Sequence, residues 1–531
     1  MKIWSINISM IGRNQGLLIV NGAYMICSVS SYLRTSAERY AKSIAVSDGK
    51  SSLLYCDLLV NAEKIASAFV NKNIFKKPVA VMIEKSPASI AAFMGVAMSG
   101  NYYSVIDEKM PQNRIERILE TLKPEFIISN NRNRKKAESL GLDAEQILYF
   151  EDLVANEISA EEKVAVENAE NRIIDTDILY VLFTSGSTGV PKGVIITHRS
   201  VIDYTEWASE TFGFNHETIF GNQAPLYFDN SVLDIYSAIR NGASLYLIPQ
   251  MCFSFPIRLL EFVRDNKINT IFWVPTVLSR VADLNILDKC DVDCLKNVLF
   301  AGEVMPARQL NVWRKRLPNA LFANLYGPTE ITVDCTYYIV NRDIRDDESV
   351  PIGIPCRNTD ILVLNEQNQL VGVGEKGELC VRGSSLALGY YNNPEKTDAA
   401  FVQNPLNSLY RELIYRTGDI VHYNELHEII YDGRKDSQVK HTGHRIELGE
   451  IETAVSSNKD VLNNCCVHNS QKDFLVLFYE GNADEQAIRK HLSGLLPDYM
   501  LPNAYVKLPS MPLNMNGKID RVKLHEEALK L

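Results

Sequence analysis

The feature that most constrains the fold is a regular alternation of apolar helical segments and short apolar strands between residues 52 and 241. Helical patterns at 58–71 and 86–98 alternate with strand-like runs at 79–83, 102–106 and Phe126–Ser129. Parallel strands need a long crossover connection, usually a helix, so this alternation is typical of α/β layers with a mostly parallel sheet. The same alternation returns at 245–249, 270–274 and Asn297–Phe300.

The pattern changes along the chain, and these changes predict the domain boundaries. From about residue 350 to 433, short strand patterns separated by Gly, Asn and Pro predict a β-rich subdomain. Residues 434–531 form a compact remainder with two helical patterns, 447–457 and 485–496. Because a helix-then-strand pattern starts just after Met25, we expect residues 1–24 to be an appendage. The sequence thus predicts a large α/β domain at 25–433 and a small α+β domain at 434–531.

Composition and charge narrow the class of protein. The 531 residues include 55 Lys+Arg and 65 Asp+Glu, a formal net charge of −10, with 46% hydrophobic residues. This is a globular composition, and the acidic balance argues against bulk binding to nucleic acid or anionic membranes. No run approaches the ~20 apolar residues that span a bilayer, and the N-terminus makes a poor signal peptide. The 10 cysteines lack Cys-x-x-Cys spacing, which favours reduced thiols and a cytoplasmic protein.

A segment rich in Gly, Ser and Thr marks a candidate phosphate-binding loop. Residues 180–193 read Y-V-L-F-T-S-G-S-T-G-V-P-K-G, and glycines let the backbone approach an anion while amides and hydroxyls donate hydrogen bonds. The Walker motif does not fit, because counting from Gly186 places Pro191 and Gly193 at its required Gly and Ser/Thr. A flexible loop without a ligand is the alternative. The candidate residues are Thr184, Ser185, Gly186, Ser187, Thr188, Gly189 and Lys192.

This string resembles the signature of the acyl-adenylate-forming superfamily, which includes acyl-CoA synthetases, firefly-type luciferases and the adenylation domains of nonribosomal peptide synthetases. Further segments resemble the family's motifs in the family's order: N-x-Y-G-P-T-E at 324–330, Y-R-T-G-D at 415–419, the hinge at 433–440, G-H-R-I-E-L-G-E-I-E at 443–452 and N-G-K-I-D-R at 516–521. The resemblance extends from about residue 52 to residue 521. Motifs in this number and order are highly specific.

The resemblance implies a large N-terminal domain, a small mobile lid, and attack of a carboxylate on the α-phosphate of ATP to give an acyl-adenylate. Because two anions must meet, such a site needs a metal and cationic or N–H donors. The implied cofactors are ATP and Mg²⁺, with Glu330 as metal ligand and Lys518, Glu330 and Thr188 as catalytic residues. Tyr326 is expected to stack on adenine, and Asp419 to accept from the ribose hydroxyls. The implied ATP-binding residues are Thr184, Ser185, Gly186, Ser187, Thr188, Gly189, Lys192, Gly302, Glu303, Asn324, Tyr326, Gly327, Thr329, Asp419, Arg434 and Lys518.

The same resemblance gives the small domain a function in two steps. One orientation brings Lys518 to ATP, and rotation about a hinge at Asp436 then removes Lys518 and presents Gly443 beside an incoming thiol. Where the family often has R-G-x-R, this chain has T-G-H-R at 442–445. One positive contact to a carrier or its phosphopantetheine arm is therefore missing from the pattern. This departure puts details of the thiol step in question, and it does not affect the prediction of adenylation.

The segment F-D-N-S-V at 228–232 resembles the F-D-x-S-V of amino-acid-activating members, where the aspartate pairs with the substrate α-ammonium. A buried carboxylate needs a cationic partner, which fatty and aryl acids cannot supply. The alternative is a loop or helix-cap residue. The 325/333/334 end resembles serine-activating pockets, whereas spacings at 273–276, 300–303 and 496–502 resemble D-alanine:carrier-protein ligases. A small serine-like or D-alanine-like amino acid is implied, with a pocket of Asp229, Asn230, Leu233, Thr276, Leu299, Ala301, Leu325, Val333 and Asp334.

The acceptor is expected to be the phosphopantetheine thiol of a separate carrier protein, because no carrier or condensation domain is recognisable in the sequence. The alternatives are an acyl- or aryl-CoA ligase, a member that passes its adenylate to an amine, and a non-catalytic nucleotide-binding or interaction member of the fold. The sequence therefore predicts a cytoplasmic AMP-forming ligase whose partners are an amino acid and a carrier protein acting in trans, with no nucleic acid and no membrane.

Overall fold

A computed structural model describes residues 17–20, 23–186, 191–435, 438–513 and 519–531 of the chain. Up to residue 355, helices and strands alternate, as the sequence predicts. The helices are α1 (Ser30–Tyr40), α2 (Tyr55–Val70), α3 (Pro87–Met98), α4 (Gln112–Leu122), α5 (Arg134–Glu138), α6 (Phe150–Ala155), α7 (Ala160–Glu170), α8 (His198–Phe212), α9 (Asn230–Asn241), α10 (Gln250–Ser254), α11 (Pro256–Asp265), α12 (Pro275–Asp283) and α13 (Ala307–Arg316).

The strands of this region are β1 (Leu17–Val20), β2 (Ala23–Ile26), β3 (Ile44–Ser47), β4 (Ser52–Leu54), β5 (Pro78–Met82), β6 (Tyr102–Val105), β7 (Phe126–Ser129), β8 (Ile147–Tyr149), β9 (Ile178–Thr184), β10 (Lys192–Thr197), β11 (Ile219–Asn222), β12 (Ser244–Leu247), β13 (Thr270–Trp273), β14 (Asn297–Phe300), β15 (Leu321–Tyr326), β16 (Thr336–Ile339) and β17 (Ile354–Pro355). Short 3-10 helices lie at Asn131–Asn133, Ala144–Gln146, Leu287–Lys289 and Thr329–Ile331.

Two large sheets organise this region. One has the order β10-β9-β6-β5-β7-β8, and the other has the order β17-β16-β15-β14-β13-β11-β12-β3-β4. Neighbours are parallel from β9 to β8 and from β15 to β3, and antiparallel at the margins. The expected mostly parallel α/β architecture is confirmed. The β9–β10 pair is antiparallel because it is a hairpin, and its connection is the candidate phosphate loop.

Helices fill the space between the two sheets. Helix α3 contacts β5 and β6 of one sheet and β3 of the other, and α8 packs against α9. The α3 sequence is apolar all round, as expected for a helix with no face toward water. Gly95 lets α2 approach, since a Cβ there would lie 2.6 Å from the Cβ of Ile65. This layer forms much of the largest buried apolar cluster.

The β-rich subdomain forms its own antiparallel sheet, in which β18-β19-β21-β20 are successive neighbours and β22 also pairs with β21. The sequence analysis predicted strands in this region from apolar runs separated by Gly, Asn and Pro. Its elements are β18 (Thr359–Leu364), β19 (Gly377–Gly383), α14 (Pro394–Ala400), β20 (Phe401–Gln403), β21 (Leu413–Tyr423) and β22 (Ile429–Arg434).

The C-terminal region, called the lid below, comprises the described residues from 438 onward. A two-stranded hairpin of β23 and β24 is followed by a three-stranded sheet, β25-β26-β27, and by helices that enclose a separate apolar core. The elements are β23 (Gln438–His441), β24 (His444–Glu447), α15 (Leu448–Ser456), β25 (Val461–Asn469), β26 (Phe474–Gly481), α16 (Glu485–Ser493), a 3-10 helix (Asp498–Met500), β27 (Ala504–Lys507) and α17 (Arg521–Ala528).

The predicted appendage, residues 1–24, lies mostly outside the described residues. Its described part pairs β1 with β2 in an antiparallel hairpin, and the predicted boundary at residue 25 falls inside β2. Among the helices that the structure describes, none combines the length and the apolar character needed to cross a membrane.

Candidate active site

The candidate active site lies at one edge of the larger sheet. Strands β13, β14 and β15 are parallel neighbours, so the segments that follow them meet at the same edge. These segments carry Thr276, Glu303 and Glu330. Ligands of open α/β sheets bind outside the carboxyl ends of the strands. The topology therefore brings together three predicted segments that are far apart in sequence.

Glu330 is a fully buried carboxylate with charged and polar partners. Arg445 Nη1 lies 2.7 Å from its Oε2, and the Tyr390 hydroxyl donates to its Oε1 at 2.8 Å. Lys192 is close, with its Nζ 5.0 Å from the centre of the Tyr390 ring. Burial opposes ionisation of Glu330, but the charges of Arg445 and Lys192 outweigh it and lower its pKa to about 2. The carboxylate is therefore ionised at neutral pH.

These surroundings fit the predicted metal and phosphate functions. A buried, ionised carboxylate is an oxygen ligand of the kind that Mg²⁺ prefers, usually together with substrate phosphates and water. Lys192 begins β10 opposite Thr184 at the end of β9, so a cation and a hydroxyl residue stand at the base of the candidate loop. Burial and the nearby charge of Arg445 lower the pKa of Lys192, and the charge of Glu330 opposes that shift.

The start of the candidate phosphate loop contacts the lid. The Ser185 hydroxyl donates to the backbone carbonyl of Arg445 at 2.8 Å, and the Gly186 amide donates to Oε2 of Glu450 at 3.3 Å. The other oxygen of Glu450 lies 2.5 Å from Nη1 of Arg114, and both of these side chains are buried. The remaining predicted loop residues lie outside the described residues: Ser187, Thr188 and Gly189.

Asp419 and Tyr326, the predicted ribose and adenine ligands, lie together. The Tyr326 hydroxyl donates to Oδ2 of Asp419, and Nη1 of Arg434 lies 2.8 Å from Oδ1. The Nζ of Lys440 lies 5.2 Å from the centre of the Tyr326 ring. A buried carboxylate, an aromatic face and two cations are thus grouped at the end of β15, as expected for a nucleotide site.

Four further residues of the predicted nucleotide set lie along the same edge. Asn324, in β15, donates its side-chain amide to a backbone carbonyl at 2.8 Å, and Gly302 follows β14 with a φ of 93°. Gly327 and Thr329 belong to the segment after β15. A Cβ on Gly327 would lie 2.4 Å from the carbonyl oxygen of Val333, so glycine is required for this segment to fold back on itself.

Asp229, the predicted ammonium ligand, directly precedes α9. Burial raises its pKa to about 6, assisted by the charge of Glu330 and opposed by a hydrogen bond from Thr329 and the charge of Arg445. In the part of the chain that the structure describes, Asp229 occupies the N-cap position of α9 without a side-chain capping hydrogen bond. Asp229 therefore has the position that the helix-cap alternative gives it, without the side-chain hydrogen bond of a typical cap.

Asp334 has a partner that the sequence did not suggest. The Tyr204 hydroxyl, from α8, donates to its Oδ2 at 2.6 Å. Burial raises the pKa of Asp334 to about 8, with the Tyr204 hydrogen bond opposing and the charge of Asp229 assisting the shift. Asp334 therefore carries a proton in much of the population at neutral pH.

The rest of the predicted substrate pocket consists of Asn230, Thr276 and five apolar residues. Asn230 is the first residue of α9, and the Thr276 hydroxyl donates to Oε2 of Glu303 at 2.7 Å. Apolar side chains supply the remaining predicted wall and are buried: Leu233, Leu299, Ala301, Leu325 and Val333.

The lid places its β23–β24 turn in the site. Thr442 and Gly443 connect the two strands with φ values of 49° and 81°, and the Gly443 amide donates to Oε1 of Glu303 at 2.5 Å. A Cβ on Gly443 would lie 2.7 Å from Cγ1 of Val274. The His444 ring stacks on Tyr499, with ring centres 4.0 Å apart. The predicted hinge residue Asp436 and the predicted catalytic Lys518 lie outside the described residues.

Sequence reasoning missed four side chains that line the site. Tyr204 and Tyr390 contact Asp334 and Glu330 from distant parts of the chain, and no local pattern marks them. Arg445 and Lys440 lie inside motifs that the sequence analysis quoted, but their contacts with Glu330 and Tyr326 depend on the position of the lid. The sequence motifs could have indicated Arg445 and Lys440, but they could not have indicated Tyr204 or Tyr390.

Comparisons with known proteins agree with this geometry. The AMP-binding enzyme family matches residues 33–391. Zwittermicin A synthase ZmaJ of Bacillus cereus is 32% identical over 502 residues, which cover 91% of this chain and 92% of that protein. Tyrocidine synthase 1 of Brevibacillus parabrevis is 31% identical over 508 residues, which cover 94% of this chain and 45% of that protein. The chain thus spans less than half the length of that relative.

Solved structures share the fold. The Vibrio cholerae adenylation domain AlmE, in complex with glycyl-adenosine-5'-phosphate, superposes with a TM-score of 0.81 at 22% identity, covering 97% of this chain and all of that one (100%). Holo-PA1221, a nonribosomal peptide synthetase protein containing adenylation and carrier (PCP) domains, gives 0.80 at 24% identity, covering 94% and 84%. The chain belongs to the AMP-binding enzyme family and has the adenylation-domain fold, which confirms the resemblance noted in the sequence.

Proposed function

We propose that the chain adenylates a small α-amino acid with ATP and Mg²⁺ and transfers the aminoacyl group to the phosphopantetheine thiol of a carrier protein in trans. The observation that carries the proposal is the grouping of three carboxylates in different surroundings at one sheet edge, Asp229, Glu330 and Asp419. These surroundings suit a substrate ammonium, a metal ion and ribose hydroxyls, respectively. PA1221, a nonribosomal peptide synthetase protein with the same fold, contains a PCP domain together with its adenylation domain, which supports a carrier as the acceptor.

The proposed substrate is argued from two carboxyl groups of the predicted pocket, Asp229 and Asp334. Asp229 ionises above a pKa of about 6 and would pair with the α-ammonium, which compensates for the burial of the carboxylate. Asp334, with a pKa of about 8, is largely neutral at neutral pH and can exchange hydrogen bonds with a hydroxyl. A second ammonium would need an ionised partner. We therefore favour a serine-like side chain over a diamino acid, and D-alanine would leave Asp334 without a substrate contact.

In the first half-reaction, a carboxylate oxygen of the amino acid attacks the α-phosphorus of ATP, and the bond to pyrophosphate breaks. Asp229 and Asp419 would orient the two reactants, and Lys192 would offset charge toward the β- and γ-phosphates. Mg²⁺ held by Glu330 supplies charge neutralisation when bound. Lys518 would bridge the substrate carboxylate and phosphate oxygens.

In the second half-reaction, the thiol sulfur attacks the carbonyl carbon of the adenylate, the bond to AMP breaks, and the thiol proton leaves to solvent. The lid position described above places the Thr442–Gly443 turn against Glu303, beside the predicted pocket residue Thr276. This supports an approach of the thiol beside the turn, which packs so closely on Val274 that a Cβ on Gly443 would not fit.

The test is amino-acid-dependent exchange of labelled pyrophosphate into ATP, screened over both enantiomers of the common amino acids and over fatty and aryl acids. We expect one peak at a small amino acid, with serine first. Asp229→Ala should raise KM for that amino acid at least about ten-fold while changing little for its des-amino analogue. Asp152→Ala, at an exposed position of α6, is the control. Exchange only with non-amino acids, or equal losses for both substrates, would contradict the proposal.

A further inference from the structure

A cluster of potential metal ligands lies in the lid, outside the predicted substrate and nucleotide residues. His441 ends β23, His468 lies in β25, and Asp473 lies in the turn between β25 and β26. His441 Nδ1 is 3.0 Å and His468 Nε2 is 2.7 Å from the same carboxylate oxygen, Oδ1 of Asp473. The three ligand atoms all lie within 4.8 Å of one another. Two imidazoles thus converge on one oxygen.

We propose that His441, His468 and Asp473 bind a divalent transition-metal ion of the Zn²⁺ type, with a water molecule as the fourth ligand. Imidazole nitrogen with carboxylate oxygen suits Zn²⁺, whereas Mg²⁺ and Ca²⁺ prefer oxygen alone. Ligand atoms about 2.0–2.2 Å from a tetrahedral ion are about 3.3 Å apart. The observed separations from Asp473 are slightly shorter, so small shifts of the side chains would admit the ion.

The carboxylate is already oriented for this purpose. Its second oxygen, Oδ2, accepts a hydrogen bond from the backbone amide of Thr442 at 3.1 Å, which leaves Oδ1 facing both imidazoles. Such outer contacts commonly fix the ligands of metal sites. Asp473 has a φ of 53°, in the left-handed region, and this conformation turns its side chain toward the hairpin.

The site is reachable from solvent on the Asp473 side, and its two imidazoles are largely buried. The Asp473 side chain is 34% exposed, whereas His441 is 5% exposed and His468 is 16% exposed. The two rings are 5.9 Å apart at an angle of 71°, so neither stacks in the space between them. An ion could therefore enter along the Asp473 side and be held by the two imidazoles.

A bound ion would tie the hairpin to the sheet behind it. His441 directly precedes Thr442, and Thr442 also contacts Asp473. The ion would thus add a cross-link between β23 and the β25–β26 pair, on the strand that leads into the Thr442–Gly443 turn. All three ligands belong to the lid, so this site would persist whatever the position of the lid.

The experiment is a Zn²⁺ titration of the chelator-treated full chain against a chromophoric competitor. We expect one equivalent to bind tightly, with His468→Ala and Asp473→Asn each weakening binding at least about ten-fold. His422→Ala is the matched control, since His422 Nδ1 lies 2.6 Å from Asp432, and this pair has no third ligand among the residues that the structure describes. Wild-type affinity in both ligand variants would overturn the proposal.

Two measurements test whether cysteines bind the metal instead and whether the variants still fold. Co²⁺ should give d–d bands without a thiolate charge-transfer band, because none of the proposed ligands is a cysteine. Zn²⁺ should raise Tm in wild type and His422→Ala but not in Asp473→Asn, a near-isosteric variant whose metal-free Tm checks its folding. A thiolate band lost on substitution of Cys465 or Cys466, or equal Tm shifts in all variants, would overturn the assignment.

Discussion

At the scale of single residues, the site is a set of carboxylates whose surroundings push their pKa values apart. Burial is common to Glu330 and Asp334, yet the pKa of one falls to about 2 and that of the other rises to about 8. The difference lies in the partners, since Glu330 faces Arg445 and Lys192, whereas Asp334 has the neutral hydroxyl of Tyr204. Separated pKa values of this kind are typical of functional sites.

Asp334→Asn should stabilise the protein in a pH-dependent way. The folded-state pKa of Asp334 is raised above its unfolded value, so the folded chain binds the extra proton, and stability falls as pH rises toward about 8. Asparagine removes this cost, and we expect Tm to rise by about 2–4 °C at pH 8 and by less at pH 5. Thermal unfolding at the two pH values checks this, with exposed Asp152→Asn as the control. An equal shift at both pH values would refute the burial explanation.

At the scale of elements, the β23–β24 turn is shaped by glycine. Gly443 has a φ of 81° and faces Val274 too closely for a Cβ. Gly443→Ala should therefore keep the turn from reaching Glu303 and slow thioester formation by more than about ten-fold, with pyrophosphate exchange retained. Loading of a phosphopantetheinyl carrier, measured beside exchange, tests this. Gly141→Ala is the control, because it has a φ of 72° with nothing within 4 Å of the added Cβ. Equal losses in both assays would count against the steric argument.

The sequence predicted individual helices and strands better than it predicted their arrangement. Strands β7 and β14 were predicted with their observed bounds, and most predicted helices agree within a few residues, because apolar periodicity is local. Strand order, the antiparallel β9–β10 pair and the third lid helix, α17, were not predicted. Contacts such as Tyr204 with Asp334, 130 positions apart, depend on how layers pack, and no local pattern encodes them.

At the scale of the whole molecule, a buried ion pair between Arg114 of α4 and Glu450 of α15 joins the large domain to the lid. Arg114 and Glu450 are 5% and 2% exposed, so losing Arg114 leaves a buried, unpaired carboxylate, at a cost of about 3–5 kcal/mol. We expect Arg114→Ala to weaken this lid position and to raise hydrogen exchange in β23 and β24.

Hydrogen exchange in the β23 and β24 peptides is measured by mass spectrometry, and two further variants serve as comparisons. Arg114→Ala combined with Glu450→Ala should recover part of the protection, because the unpaired charge is gone. Arg199→Ala, which breaks an exposed pair with Asp175, should leave the hairpin unchanged. Unchanged exchange in Arg114→Ala would show that other contacts hold the lid.

The contact between Arg445 and Glu330 would place the observed lid position in competition with the proposed metal ion. The two Glu330 oxygens are engaged here by Arg445 and Tyr390, and a metal ion of the first half-reaction would need to bind at the same carboxylate. Arg445 and the ion would then compete for one carboxylate, so that loss of the ion would favour the observed lid position. Competition for a single anion would then set the order of the two proposed half-reactions, because the thiol would be admitted only when the first reaction could no longer run backwards.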